Sequence, residues 1–459
     1  MPKKRSPRNR KKNKRVLDQI NHNAAGVDMG STEIWVAVGE HLSEEPVRKF
    51  GTTTTELRES ADWMKSIGVE TVAIEATGVY WVPAYEIYEQ YGLKPILINS
   101  RSIRSFNGMK KSDYIDCQWI QLLHTFGILQ ASIRAEAEMI ELRGYMRQRR
   151  NLTEQCSEQI LLMQKALILM NLRLDQAVSD LTGATGLRIL RAIVEDGERD
   201  PKKLAQMRDP ACAKSEEQIA EALTGHYRDE QLLALDQALR LWDFCQSLML
   251  ECDERVQAVL EKLPVKQSRE TLPKARVTKG KARKNELRIQ DGRVLLYERL
   301  GVDLTLIAGL QVLTILTVIS ECGVDLSRFP TARHFASWLG LSPGTNKTGG
   351  RVVSAKSRRT TNRAATALRL AAQSLLKTDT ELGAFGRSLR GRVGPEKAIT
   401  AVAAKLAHRI YDSLRTGRAY ADRGPGYHEA VHRQRNLTAL TKRARRFGMI
   451  LVPMETEAA

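Results

Sequence analysis

Four carboxylates stand where carboxylates can do chemistry. Asp28 ends an apolar run, Ala24-Ala-Gly-Val-Asp28, with Gly26 before it and Gly30 after. Glu75 ends a second run, Thr71-Val-Ala-Ile-Glu75, and Gly78 follows. Asp113 and Asp116 are three residues apart at the start of a helix, so both project from one face. Carboxylates at the C-terminal ends of adjacent strands converge, as ligands do at the open end of an α/β sheet. Acids crowded in this way repel and stay partly protonated unless divalent cations neutralise them. Hard oxygen ligands with room for water and phosphate describe Mg2+. Two such ions, about 3.5–4 Å apart, clamp the attacking and leaving oxygens of a phosphodiester. Each acid alone has a plainer account: Asp113 as a helix N-terminal acid favoured by the macrodipole, Glu75 as a strand end facing solvent. Two apolar strands each ending in an acid, followed by a paired acid on a helix, favour the shared site.

These residues need a sheet to hold them. Ala24–Gly30 reads as a buried strand and Ile34–Val38 as its hairpin partner. Helices follow near 55–67 and 82–91, strands at 71–75 and 94–99, and a further helix from about 111 to 128. A hairpin followed by alternating strands and helices predicts an α/β domain with a mixed, covered sheet. Beyond it, apolar residues recur from Met139 through Met170 and again from Leu232 through Val259 at the 3–4 spacing of a helix-pairing seam, broken once by Arg149. Two long antiparallel helices are expected, serving intramolecular packing or a dimerisation arm. Leu304–Ile319 reads as a buried core helix, too short for a bilayer span. A Gly- and Thr-rich loop at 343–350 and basic helices complete the chain.

The composition points the same way. The 459 residues carry a net charge of +19, with 42% hydrophobic residues and only 5% aromatic. That is enough apolar content for a core, and too few aromatics for an all-β architecture. The charge is segregated. Residues 1–17 carry +9, 265–290 carry +7 and 351–450 carry +16, leaving −13 for the rest. Such blocks suit phosphate neutralisation, and nucleic acid is the expected partner. Six scattered cysteines with no CxxC pair argue against a disulfide framework or zinc ribbon and fit a reducing cytoplasm.

Gly26-Val-Asp-Met-Gly-Ser-Thr, Ile74-Glu-Ala-Thr-Gly-Val-Tyr-Trp81 and Lys111-Ser-Asp-Tyr-Ile-Asp116 resemble the motifs of the DEDD-type transposases of insertion-sequence family one hundred and ten. Leu306-Ile-Ala-Gly-Leu, Arg328–Pro343 and Asn362–Ala372 resemble that family's C-terminal transposase domain. The resemblance implies an α/β RuvC-like (RNase H-like) N-terminal domain, a long helical coiled-coil middle and a mainly α C-terminal transposase domain. The expected divisions are a basic disordered tail at 1–20, the DEDD domain at 21–130, the helical region at 131–264, a basic linker at 265–290 and the transposase domain at 291–459. It also implies Mg2+ on Asp28, Glu75, Asp113 and Asp116, target and donor DNA as substrates, and a structured non-coding bridge RNA as guide. A homo-oligomer, dimer or tetramer, is expected in the prokaryotic cytoplasm at the nucleoid, with no membrane partner.

The family places a serine nucleophile in a Pro-x-x-x-x-Ser-Gly-Gly loop. The matching stretch here is Pro343-Gly-Thr-Asn-Lys-Thr-Gly-Gly350, so Thr348 occupies the serine's place. Threonine keeps the hydroxyl, but its methyl crowds in-line attack and stiffens χ1. Lys347, Arg351 and Lys356 could stabilise phosphoryl charge, and Ser354 is the alternative hydroxyl. Two rival readings stay open: a Holliday-junction nuclease using water, and a nucleic-acid binder whose acids are relicts. Two motifs are decoys. His428-Glu-Ala-Val-His432 fits the HExxH pattern, but no carboxylate follows until Glu455 and His432 is the last histidine, so a third ligand has no obvious source downstream. The segment around Ala308-Gly-Leu could offer backbone N–H groups to phosphate or simply pack as a core helix pair.

Overall fold

The structure, a computed structural model, describes residues 18–76, 78–99, 112–132, 136–276, 285–354 and 356–452. Residues 1–17 of the expected tail at 1–20, Lys111 and the centre of the basic linker, 277–284, lie outside the described residues. The chain divides into two compact units, Met1–Arg134 and Ala135–Ala459.

The first unit is built on a five-stranded sheet: β1 (Ala24–Met29), β2 (Glu33–Val38), β3 (Val47–Gly51), β4 (Thr71–Glu75) and β5 (Lys94–Ile98), in the order β3-β2-β1-β4-β5. β1 pairs antiparallel with β2 and parallel with β4, and β4 pairs parallel with β5. This is the mixed sheet expected, with one addition: β3, an antiparallel edge strand on β2 that the sequence reading left out. The topology fits an α/β RuvC-like fold.

Strand pleating sorts the sheet into two faces. Ala25, Val27, Met29, Val72 and Ile74 join one cluster with Leu57, Ala61 and Met64 of α1 (Thr54–Ser66) and Ala84, Ile87 and Tyr88 of α2 (Trp81–Gln90). α1 starts in a reciprocal capping box between Thr53 and Glu56. The buried Tyr88 hydroxyl is satisfied by Ser60 at 2.9 Å. Alternate residues point to the other face, where Ala73, Ile98 and Ile120, and separately Ala37, Val47 and Cys117, form small clusters under α3 (Asp113–Thr125).

The second unit is organised by two long helices, α4 (Ala137–Leu169) and α9 (Asp229–Lys262). Four short helices join them: α5 (Leu174–Ala177), α6 (Ala184–Val194), α7 (Pro201–Gln206) and α8 (Glu216–Ala222). Glu141 meets Lys262, Arg149 meets Asp253, and Thr153 and Cys156 meet Met249, so the pair runs antiparallel. The recurring apolar spacing is therefore satisfied within one chain.

Arg149, the interruption in that seam, is 3% exposed and pairs with Asp253, 1% exposed. The guanidinium also donates to the carbonyls of Asn285 and Glu286, and Asp253 accepts the Arg288 N–H at 2.9 Å. Lys266 N–H donates to Glu298 O at 2.7 Å, and Thr271 Oγ1 and Tyr297 Oη lie 2.9 Å apart. The described ends of the basic stretch 265–290 are thus fastened to helices, which departs from a free linker: buried charge needs partners, and this segment's backbone supplies them.

The remaining helices are α10 (Gly292–Leu300), α11 (Val312–Cys322), α12 (Ala332–Trp338), α13 (Arg363–Leu375), α14 (Glu381–Val393), α15 (Pro395–Thr416) and α16 (Gly424–Arg446). Leu304–Ile319 is not one helix. A 3-10 turn at Leu304–Leu306 leads through Gly309, at φ +86°, into α11. A Cβ on Gly309 would meet Leu375 Cγ at 2.9 Å, so this turn packs tightly on α13. Ala308 and Leu310, on either side of Gly309, are buried. α4 is held to α11: Arg143 donates to Ser320 O at 2.8 Å, and Arg147 grips Glu321 with bonds of 3.0 and 2.8 Å. Among the described residues no helix is long and apolar enough to cross a membrane.

Removing one partner of a buried ion pair strands the other charge. Arg149→Leu is expected to destabilise the second unit by about 3–5 kcal/mol in denaturant unfolding. The double variant Arg149→Leu/Asp253→Leu should recover at least half of that loss. A double variant no better than the single would show that the pair does not set the cost.

Candidate active site

Asp28 and Gly26 share the α3 face of β1, and Ala73 and Glu75 share the same face of β4. The last rung of the parallel ladder joins Val27 to Ile74. One residue further along each strand stand Asp28 and Glu75, side by side at the C-terminal sheet edge. Both are half-buried.

The second pair of acids comes from α3. Its N-cap, Ser112, accepts the Ile115 N–H, and Asp113 and Asp116 occupy the first turn. α3 reaches Asp28 because β1 has no side chain at Gly26. A Cβ there would lie 2.2 Å from Gln121 N and 2.5 Å from Cys117 O. Two backbones are in contact where most helix–sheet packings interpose side chains. At the other end of α3, His124 Nε2 lies 3.0 Å from Thr71 Oγ1. Burial holds that imidazole down at about 4, hence neutral.

The electrostatics record the crowding. Asp28 is pushed up to about 7, first by burial, then by the charges of Glu75, Asp113 and Asp116, against a lowering hydrogen bond from Met29 N–H. Cys117, buried beneath, is pushed up to about 12 by burial and then by Asp28. The structure therefore brings Glu75, Asp113 and Asp116 within electrostatic reach of Asp28. Among the described residues, no three His, Cys, Asp or Glu side chains are gathered closely enough to hold a metal ion. The donor set nonetheless fits a hard divalent cation, being all carboxylate oxygen with three like charges crowding Asp28.

Thr348 belongs to the second unit. The expected loop at 343–350 is largely a two-stranded hairpin, β6 (Asn346–Thr348) and β7 (Arg351–Ser354). Gly349 and Gly350, at φ +55° and +79°, make its turn, the backbone that a two-residue hairpin demands. Thr348 pairs with Arg351, and both are exposed. Ser354 is half-buried and accepts the Lys356 N–H at 3.4 Å. The side chain of Lys347 lies outside the described residues.

Sequence reasoning missed the role of Gly26, the neutral His124 clamp and the thiol beneath Asp28. Glycine in a buried strand marks close backbone approach, and that signal was available at Gly26.

Two comparisons bear on identity. Residues 25–171 match the DEDD_Tnp_IS110 transposase family, and residues 303–387 match the transposase IS116/IS110/IS902 family. The chain belongs to the IS110 family of transposases. Members of such a family cut and rejoin DNA. The first match contains all four acids of the site; the second contains Thr348 and the whole hairpin. No curated protein matches the transposase in sequence.

Two substitutions at this site should move stability in opposite directions. Gly26→Ala must displace α3, at a cost of about 1–3 kcal/mol to the first unit, and should abolish DNA strand exchange. Asp28→Asn should also abolish exchange but stabilise. In the folded state Asp28 holds a proton up to about pH 7, against 3.8 ordinarily, so its ionised form costs stability above pH 7. Without divalent cations at pH 8, the asparagine variant should melt higher by about 4 °C or more, with the gain shrinking as the pH falls and vanishing near pH 4. A variant that melts lower at pH 8 would contradict the crowding.

Proposed function

We propose that this transposase is a Mg2+-dependent recombinase in which Asp28, Glu75, Asp113 and Asp116 hold the metal and Thr348 supplies the nucleophilic hydroxyl. The observation that carries the metal assignment is the crowding of Asp28 by three other carboxylates in a half-buried site. Such an arrangement is unfavourable for folding and becomes useful when divalent cation neutralises it. When bound, the ion would offset the charge that builds up on phosphoryl oxygens during exchange.

Thr348 Oγ1 attacks the phosphorus of a DNA strand. An Oγ1–P bond forms, one P–O bond of the strand breaks, and the hydroxyl proton ends on the leaving deoxyribose oxygen. The phosphoester with threonine conserves the bond energy for rejoining to a second strand. Exposure at a glycine turn suits a nucleophile that must meet a bulky nucleic-acid substrate, and Arg351 beside it can face the phosphoryl oxygens. The segregated positive charge suits the phosphates of target and donor DNA and of a structured RNA guide that pairs with them.

Protein–DNA adducts trapped on a denaturing gel test this directly. Wild type and Thr348→Ser should form them in Mg2+, Thr348→Ala should lose at least about 100-fold, and chelator should abolish them. Adducts that persist in Thr348→Ala would move the nucleophile elsewhere, Ser354 first. Cleavage with no adduct in any variant would identify water as the nucleophile.

A further inference from the structure

The second unit contains an open groove of about 1220 Å³ between α12, α14 and α15. Small-molecule sites run to roughly 300–1,000 Å³, so this one is large for a metabolite. Its walls are apolar: Phe385 and Leu389 of α14 on one side, Ala401 and Ala404 of α15 on the other, with Leu341 beneath. Its lining cations are Arg333, Lys356, Lys397 and Lys405, against a single carboxylate, Glu396. Arg333, Lys356 and Lys397 are all exposed.

The hairpin that carries Thr348 grows out of the groove's edge. Pro343 and Ser357, both lining residues, face each other in an antiparallel bridge, and Gly344 N–H donates to Lys356 O at 3.0 Å. From Pro343 the chain rises five residues to Thr348. An extended run of that length spans about 17 Å, roughly five stacked nucleotides at 3.4 Å each.

An apolar interior rimmed by cations has no use for duplex DNA, whose base faces are already stacked inside the helix. It matches an unpaired strand, which offers bare base faces and a phosphate on every residue. We propose that this groove seats an unpaired segment of the DNA strand undergoing transfer, with bases against its apolar walls and phosphates along its cationic rim, and leads it to the Thr348 hairpin. The direction of travel rests on Thr348 being the nucleophile; the strand binding itself does not.

The test measures anisotropy of a fluorescent single-stranded pyrimidine oligodeoxynucleotide, its duplex and its RNA counterpart with the full chain. Ala401→Trp, which fills the groove, should weaken single-strand binding about tenfold and leave duplex binding within twofold. Arg333→Ala/Lys397→Ala changes only exposed side chains, so folding is not at stake. It should weaken single-strand binding and flatten its logarithmic salt dependence by about 1.4, the share of two phosphates. Single-strand binding unchanged by both variants would overturn the proposal. So would equal losses on single strand and duplex, or wild-type preference for the RNA oligonucleotide. Failure of Thr348 to form adducts, with the groove variants still defective in single-strand binding, would sink the nucleophile and leave the groove standing.

Discussion

The first unit depends on a contact between two backbones. At Gly26 the sheet lets α3 come down onto β1 with no side chain between them, and everything chemical about the unit follows from that distance. Asp113 and Asp116 are brought from a helix to a sheet edge where Asp28 and Glu75 already stand in register. Tight packing usually serves stability. Here it forces like charges together, and the fold must carry that strain through its other interactions: the Thr53–Glu56 capping box, the satisfied Tyr88 hydroxyl and the His124–Thr71 clamp.

The second unit solves a different problem. It must present cationic surface while holding a core, and it pairs its most deeply buried charges, Arg149, Asp253 and Asp303. Arg149 satisfies Asp253 and two backbone carbonyls, and Asp303 is gripped by Arg293 and by Thr305. The arginines left outside these pairs crowd the C-terminal helices. α16 has no buried residue and only one acid, Glu429, among its 23 residues. Its HExxH histidines lie beside each other, with Asn436 on His432 and Phe385 against His428; burial first, then His432, holds the His428 imidazole below its usual range, Lys405 and Arg435 adding to this and Glu381 opposing it.

Much of this was legible in the chain. Strands ending in acids, the capped start of α3 and the long 3–4 seams are written in local periodicity, which burial enforces on both faces of an element. Three features were not. β3 is a short edge strand, Val47-Arg-Lys-Phe-Gly51, whose charged residues suit an edge and hide the pattern. The run at 304–319 is apolar enough for a helix, and only the fit of Gly309 against α13 shows why the chain must turn there. The 343–350 stretch has hairpin glycines but no apolar alternation to announce strands. At the site, the acids could be found from sequence and the closeness of α3 could not, because packing distance between elements leaves no periodic mark.

The tie between α4 and α11 has a consequence for how these proteins can evolve. Residues 25–171 and 303–387 carry the two family signatures, yet Arg143 and Arg147 from the first are bolted to Ser320 and Glu321 from the second. A chimera that exchanged one half between relatives would inherit an arginine pair facing a foreign helix end, with the guanidinium of Arg143 half-sequestered from water and its carbonyl acceptor displaced. Modular shuffling is therefore penalised at this joint.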